Sequence, residues 1–373
     1  MYDASLLENP AEALPDAAVT VVGMGRSGMA AARLLQTLGA RVTLVDQRTE
    51  AAIQAQEVLN LGRHVHVLTG ARWFEGLLYS QLVIISPGVP SQLEPIARVR
   101  ARGVPVVSEI ELASWFLTVP LIAVTGTNGK STVASLIGAI LEHSGVQPFV
   151  GGNLGTPLSE AVLMERQRPT GPRFDCVVAE VSSFQLENVY RFHPHIAVML
   201  NLTPDHLDRY ASFAEYQAAK ERIFSHQGPY DLAVLNADDP LVAAMSRLCR
   251  GTILTVSLAQ QVPWGVSVSK GMVTARFGGQ PFALFPAEDV PLLGQHNLAN
   301  VLAATAVGLA CGVPGDRVGQ AIRSFRGLDH ALEHVRERGG VMFVNDSKGT
   351  NIDATLRALE SFRQPIVLIL GGK

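Results

Sequence analysis

Seven consecutive residues, Thr125-Gly126-Thr127-Asn128-Gly129-Lys130-Ser131, combine two glycines with a lysine and a hydroxyl in a pattern suited to holding phosphate. They follow the apolar run 121–124 and precede a helical pattern over 132–141. A strand that ends in glycines and turns into a helix aims several backbone N–H groups and the positive helix end at one point. Lys130 then meets the outer phosphates of a nucleotide, and the Ser131 hydroxyl a magnesium ion. Val124 stands where the longer phosphate-loop pattern has its first glycine, which points away from the common GTPases and ATPases. A tight strand-to-helix turn explains Gly129 alone, but gives no reason for Lys and Ser to follow it. Lys130 is expected to point into solvent when no nucleotide is bound.

Other residue sets carry chemistry of their own. Gly23-Met24-Gly25-Arg26-Ser27-Gly28 follows the short strand pattern 19–22 and fits G-x-G-x-x-G, with Asp46 at the end of a second strand pattern over 42–45. Taken alone, this is the phosphate-cradling half of a dinucleotide site, with the acid placed for a ribose hydroxyl or a base edge. Strand patterns around 64–68 and 82–85 follow, the second running into Ser86-Pro87-Gly88-Val89-Pro90. That loop falls at the carboxyl edge of the same sheet, where open α/β sheets bind ligands, although Pro87-Gly88 is equally well a plain turn. The apolar strand 176–179 ends in Glu180, a natural magnesium ligand beside a phosphate loop. His206 lies between Asp205 and Asp208 at the end of another strand pattern, which raises it above an ordinary surface histidine.

Strands and helices alternate along the chain, as in α/β proteins with parallel sheets. Residues 251–285 turn to short alternating strands, read as a small β insert, and a helix capped near Asn297 runs to 309. The 373 residues are 47% hydrophobic and 17% charged, enough for two or three cores. A net charge of -3 without a long basic run argues against nucleic-acid binding. Cys176, Cys249 and Cys311 are widely spaced, which argues for a reducing compartment and against a disulfide frame or zinc site. The first residues lack the basic and apolar regions of a leader, and no apolar run approaches the ~18 residues that span a bilayer. A cytoplasmic protein is expected.

Thr125 to Ser131, Glu180 to Glu187, Asn201 to Tyr210 and Gly294 to Asn300 stand in the order and spacing of the Mur ligases, and the chain resembles that family over nearly its whole length. These are ATP-dependent amide-forming enzymes of peptidoglycan precursor synthesis. Gly23 to Gly28 and Asn345-Asp346-Ser347-Lys348-Gly349-Thr350-Asn351 resemble the branch that joins D-glutamate to UDP-N-acetylmuramoyl-L-alanine. The resemblance implies a fold of three parts: a Rossmann-like domain for the UDP-sugar over 1–117, a central P-loop ATPase-like α/β domain over 118–326, and part of a C-terminal Rossmann-like domain over 327–373. It also implies that the first glycine loop holds a uridine diphosphate and no dinucleotide.

The implied site follows residue by residue. ATP falls to Gly126, Thr127, Asn128, Gly129, Lys130, Ser131 and Thr132, with Asn300 and Asp346 near the adenosine. Magnesium falls to Ser131 and Glu180, and a second ion to His206 with Lys220, the latter carbamylated in the family; without the resemblance Lys220 reads as a solvated surface lysine. The catalytic set is Lys130, Glu180, His206 and Lys220. The UDP-sugar falls to Gly25, Arg26, Ser27, Asp46, Arg48, Ser86, Gly88, Asn153 and His206, and D-glutamate to Lys348 and Thr350, with Lys348 also near the phosphate. A monomer is expected. Ala331 after His330 replaces an arginine usual in the family, and Gly349 replaces an alanine. The apolar run 365–370 reads as a buried strand, and 327–373 as too short for a core of its own, so the chain by itself is expected to turn over little. The alternatives are another Mur-type or folate-polyglutamate ligase, and a nucleotide-binding module without ligase activity.

Overall fold

A computed structural model of the chain describes residues 5–49, 65–153, 155–168 and 171–371. The start of the strand expected from His64, Leu154 of the loop before Gly155, and the final Gly372-Lys373 lie outside the described residues. The chain divides into two units. The first comprises Met1–Thr125, Gln147–Ala197 and His206–Asp231, and the second Gly126–Val146, Val198–Asp205 and Leu232–Lys373.

In the first unit β1 (Ala18–Val22), β2 (Arg41–Asp46), β3 (His66–Thr69), β4 (Leu82–Ile85) and β5 (Val106–Ser108) form a sheet in the order β3-β2-β1-β4-β5. Each neighbouring pair is parallel. Their near-continuous Val, Leu and Ile runs suit strands covered on both faces. One face packs Val22, Val45, Val83 and Val106 against Trp73, Leu77, Ile96 and Val99. The helix Arg26–Thr37 buries Gly28, Ala30, Ala31 and Ala32, small residues that let it lie close to the strands. From β1 the chain steps to β2 on one side and returns to β4 on the other. The loops after β1 and β4 therefore diverge and leave a crevice at the carboxyl edge. A second set of strands in this unit, β6 (Leu121–Thr125), β7 (Pro148–Gly152) and β8 (Cys176–Glu180), pairs in parallel in the order β6-β8-β7. β9 (Ile196–Met199) gives residues 196–197 to the first unit and 198–199 to the second.

The second unit holds β10 (Leu232–Asn236), β11 (Thr252–Ser257), β12 (Trp264–Ser269), β13 (Met272–Phe277) and β14 (Phe282–Pro286). β10, β11 and β12 are parallel, and β12, β13 and β14 form an antiparallel meander. The short strands expected over 251–285 are thus continuous with β10 as the edge of its sheet. The helix Lys130–His143 packs against Gln295–Ala310 and Gly315–Ser324. Gly308 permits this closeness, since a Cβ there lies 2.6 Å from Ile140 Cγ2.

Beyond Gly327 come an antiparallel hairpin, β15 (Glu333–Arg338) and β16 (Val341–Asn345), turned at Gly339 and Gly340 with φ 59° and 76°, and the helix Ile352–Glu360. Paired positive φ values in a two-residue turn match the twist of a hairpin and favour glycine. Residues 365–370 do not form the buried strand read from their sequence: no ladder joins them among the described residues, and Val367 and Ile369 are 92% and 90% exposed. An apolar run becomes a strand only where a neighbouring strand takes its backbone groups.

Candidate functional site

In the first unit the crevice between the diverging loops is a cavity of about 480 Å³. Gly25, Arg26, Ser27, Asp46, Arg48, Ser86, Gly88 and Asn153 all line it, with Trp73, Val89 and Gln185 among the others. His206, assigned to the same ligand by the resemblance, is not part of that lining. The glycine loop is built by close contact. A Cβ on Gly28 would fall 1.8 Å from the Gly23 carbonyl oxygen, whereas one on Gly25 meets nothing within 4 Å. Gly28 therefore closes helix on strand, and Gly25 leaves open space beside the cavity.

Asp46 braces this loop. Its Oδ2 accepts from the Met24 N–H at 2.8 Å and from Arg48 Nη2 at 2.7 Å, and its Oδ1 from the Arg48 backbone N–H at 2.9 Å. Burial alone raises the pKa of this carboxyl, but its bonds to Arg48 and Met24 outweigh burial and hold it below the ordinary carboxylate value. The expectation that Asp46 itself meets a ribose hydroxyl is thus modified: its oxygens already hold the loop, and the half-exposed Arg48 guanidinium stands beside the cavity.

Asn153 and Glu180 meet at the adjoining ends of β7 and β8. Asn153 Nδ2 donates to Glu180 Oε1 at 2.7 Å, and the Asn153 N–H to the Glu180 carbonyl at 2.9 Å. Gly152, at φ 94°, permits this, because a Cβ there would sit 2.4 Å from the Glu180 oxygen. Glu180 is buried. His206 takes φ 55°, a left-handed conformation rare outside glycine, and its ring lies 4.7 Å from that of Phe184. Such strain persists only where the surroundings impose it, and it concentrates at functional sites. Lys220 is not the solvated lysine of the plain reading. It is 1% exposed on the helix Phe213–Glu221, its ammonium 4.8 Å from the centre of the Tyr216 ring. Among the described residues no three His, Cys, Asp or Glu side chains form a metal cluster.

The phosphate-type loop belongs to the second unit. Gly129 has φ 85° and caps the helix Lys130–His143, which includes Ser131 and Thr132. The segment after β9 fixes the loop: the Thr127 N–H donates to the Asn201 carbonyl at 3.0 Å, and the Asn128 N–H to Asn201 Oδ1 at 2.8 Å. Lys130 does not point away into solvent. Its Nζ donates to the carbonyls of Gly126 at 3.0 Å and Thr127 at 2.7 Å, so it closes over its own loop. Asn300 packs beneath the loop, where a Cβ on Gly129 would lie 2.3 Å from its Oδ1. Asn128 is tied to the last helix: its Nδ2 donates to Asp353 Oδ2 at 2.9 Å, and its Oδ1 accepts from Asn351 Nδ2 at 3.0 Å. Asp346 accepts the Leu332 N–H at 2.9 Å, and burial pushes its carboxyl above the ordinary value. Lys348 and Thr350 are exposed on the same turn, which the Lys348 N–H fastens to the His330 carbonyl at 2.9 Å.

Asn201 and Asn351 stand in the motifs that carry the resemblance but have no role assigned by it, and Asp353 stands in none. Asn201 lies 73 residues from Asn128, and Asp353 225 residues away, so no local spacing marks these partners. No helix among the described residues is long and apolar enough to cross a membrane.

Residues 124–308 match the Mur ligase middle domain, and residues 17–108 the MurD-like N-terminal domain of Mur ligases. The UDP-N-acetylmuramoylalanine–D-glutamate ligase of Pelotomaculum thermopropionicum is 44% identical over 363 residues, spanning 95% of this chain and 77% of that protein. The enzyme of the same name from Geotalea daltonii is 43% identical with the same coverage. A solved pseudomurein peptide ligase type C from Methanothermus fervidus aligns with a TM-score of 0.56 at 17% identity, over 92% of this chain and 77% of that one, a likeness of fold.

Proposed function

Since the chain belongs to the Mur ligase family, we propose that it is an ATP-dependent ligase that joins D-glutamate to UDP-N-acetylmuramoyl-L-alanine in peptidoglycan precursor synthesis. The observation that carries this reading is that one cavity is lined by eight of the nine residues assigned to the UDP-sugar. ATP phosphorylates the terminal carboxylate of the sugar peptide, and the amine of D-glutamate attacks the acyl phosphate and releases phosphate. Both steps move negative charge among phosphate oxygens, so cations and fixed N–H groups do most of the work. In this reading the domains divide at 1–117, 118–326 and 327–373, and the protein is a cytoplasmic monomer.

Lys130 and the amides at the start of its helix hold the β and γ phosphates. Arg48 and the loops after β1 and β4 hold the uridine diphosphate, and Asn153 orients the carboxylate to be activated. Asn300 supports the nucleotide from beneath Gly129, Asp346 lies toward the adenosine, and Lys348 and Thr350 receive the amino acid. Ser131, at the start of the phosphate-loop helix, and Glu180, at the end of β8, each offer an oxygen donor of the kind magnesium takes; when bound the ion would neutralise phosphate charge. Lys220 joins His206 at a second ion only as a carbamate, because an ammonium repels a cation.

Calorimetric titration separates the readings. The UDP-sugar is expected to bind and NAD is not. Micromolar NAD binding without UDP-sugar binding reverses the assignment in favour of a dinucleotide module. Titration with D-glutamate against other amino acids, in the presence of the UDP-sugar, separates this ligase from its Mur-type and folate-type relatives.

A further inference from the structure

Arg209 follows His206 by three residues and is not part of the cavity lining, yet it fastens the cavity's wall. Its Nη1 donates to the Pro87 carbonyl at 2.8 Å and its Nη2 to the Val89 carbonyl at 3.0 Å. These two carbonyls flank Gly88, and all three residues line the cavity. The guanidinium carbon lies over the Phe184 ring, 3.8 Å from its centre, and Nη2 lies 3.8 Å from Glu187 Oε2. Glu187 Oε2 also accepts from Ser91 Oγ at 2.6 Å, on the far side of the same loop. The side chain is 14% exposed, and both terminal nitrogens donate to backbone carbonyls.

The geometry points to Arg209 as a positioning residue that sets the Pro87–Val89 wall for the nucleotide-sugar and links it to the turn bearing His206. Three features make the link specific. A planar guanidinium spans two carbonyls and stacks on an aromatic face at once, which a lysine ammonium does not do. The wall offers little rigidity of its own, being one four-residue turn closed by the Val89 N–H on the Ser86 carbonyl at 3.0 Å. Phe184 also contacts the His206 ring, so one aromatic side chain supports both the clamp and the strained histidine.

The identity of the ligand rests on the proposed function; the clamp itself does not. Arg209→Lys in the full chain is expected to weaken binding of UDP-N-acetylmuramoyl-L-alanine by about tenfold or more while leaving ATP affinity within about twofold, both read by calorimetry. Amide exchange at Gly88 and Val89 should accelerate, with the melting temperature little changed. Phe184→Leu should shift both readouts in the same direction and serves if Arg209→Lys folds poorly. Wild-type UDP-sugar affinity together with wild-type exchange at Gly88 and Val89 overturns the inference. If the unmodified chain does not bind the UDP-sugar, the function assigned above falls, and amide exchange alone still decides whether Arg209 holds the wall.

Discussion

Lys130 spends its ammonium on the carbonyls of Gly126 and Thr127, partners that a phosphate oxygen outbids because it carries full charge. Lys130→Ala should therefore lower ATP affinity by roughly 10- to 100-fold, the worth of one charge-assisted contact, at a stability cost of only about 1 kcal/mol. Titration with ATP and magnesium checks the first figure and denaturant unfolding the second; unchanged affinity would sink the assignment of this loop. Gly28 is constrained from the opposite side. A methyl at 1.8 Å from a backbone carbonyl has nowhere to go, so Gly28→Ala should shift the helix Arg26–Thr37 and cost about 1–3 kcal/mol or more.

Among the elements, the contact between the helices Glu109–Ser114 and Leu158–Arg166 carries a pH dependence. Glu109 is fully buried, its Oε1 accepting the Ser159 N–H at 2.6 Å, while its Oε2 has no hydrogen-bond partner. Burial, with the nearby Glu160 carboxylate adding to it, pushes its pKa up to about 7, and Glu160 is itself paired with Arg33. In the unfolded chain this carboxyl ionises near its ordinary value of 4.5. Between pH 4.5 and 7 the unfolded chain thus releases a proton that the folded one keeps, so stability falls as pH rises through that window and stays lower above it. Glu109→Gln cannot ionise. Thermal unfolding from pH 5 to 8.5 should show the wild type losing about 2–3 kcal/mol relative to this variant. Parallel curves for the two proteins would show that Glu109 does not titrate in this range.

At the level of the whole molecule, the two glycine loops belong to different units, and their ligands should be separable. Gly28→Ala is expected to abolish UDP-sugar binding and retain ATP affinity, and Lys130→Ala to weaken ATP binding and retain UDP-sugar affinity, both by titration. Loss of both ligands in either variant would mean that one loop serves both. The two loops, the carboxylate Glu180 and the histidine turn were legible in the sequence, because glycine, lysine and acid placements at strand ends are local patterns with local causes. So was the crevice, since the residues after β1 and β4 must diverge. The pattern alone did not separate a uridine diphosphate from a dinucleotide, as both use the same turn and helix end. Tertiary structure decided what lies far apart in the chain: that Asp46 is already engaged by Met24 and Arg48, that Lys220 is buried, that Asn300 underlies Gly129, and that Arg209 grips a wall 120 and 122 residues away. It also decided against a strand at 365–370, where apolar residues without a neighbouring strand have no partner for their backbone groups. Spacing specifies a turn or a helix end because those bonds close within a few residues. A clamp, a burial or a strand ladder depends on whichever distant segment the fold delivers.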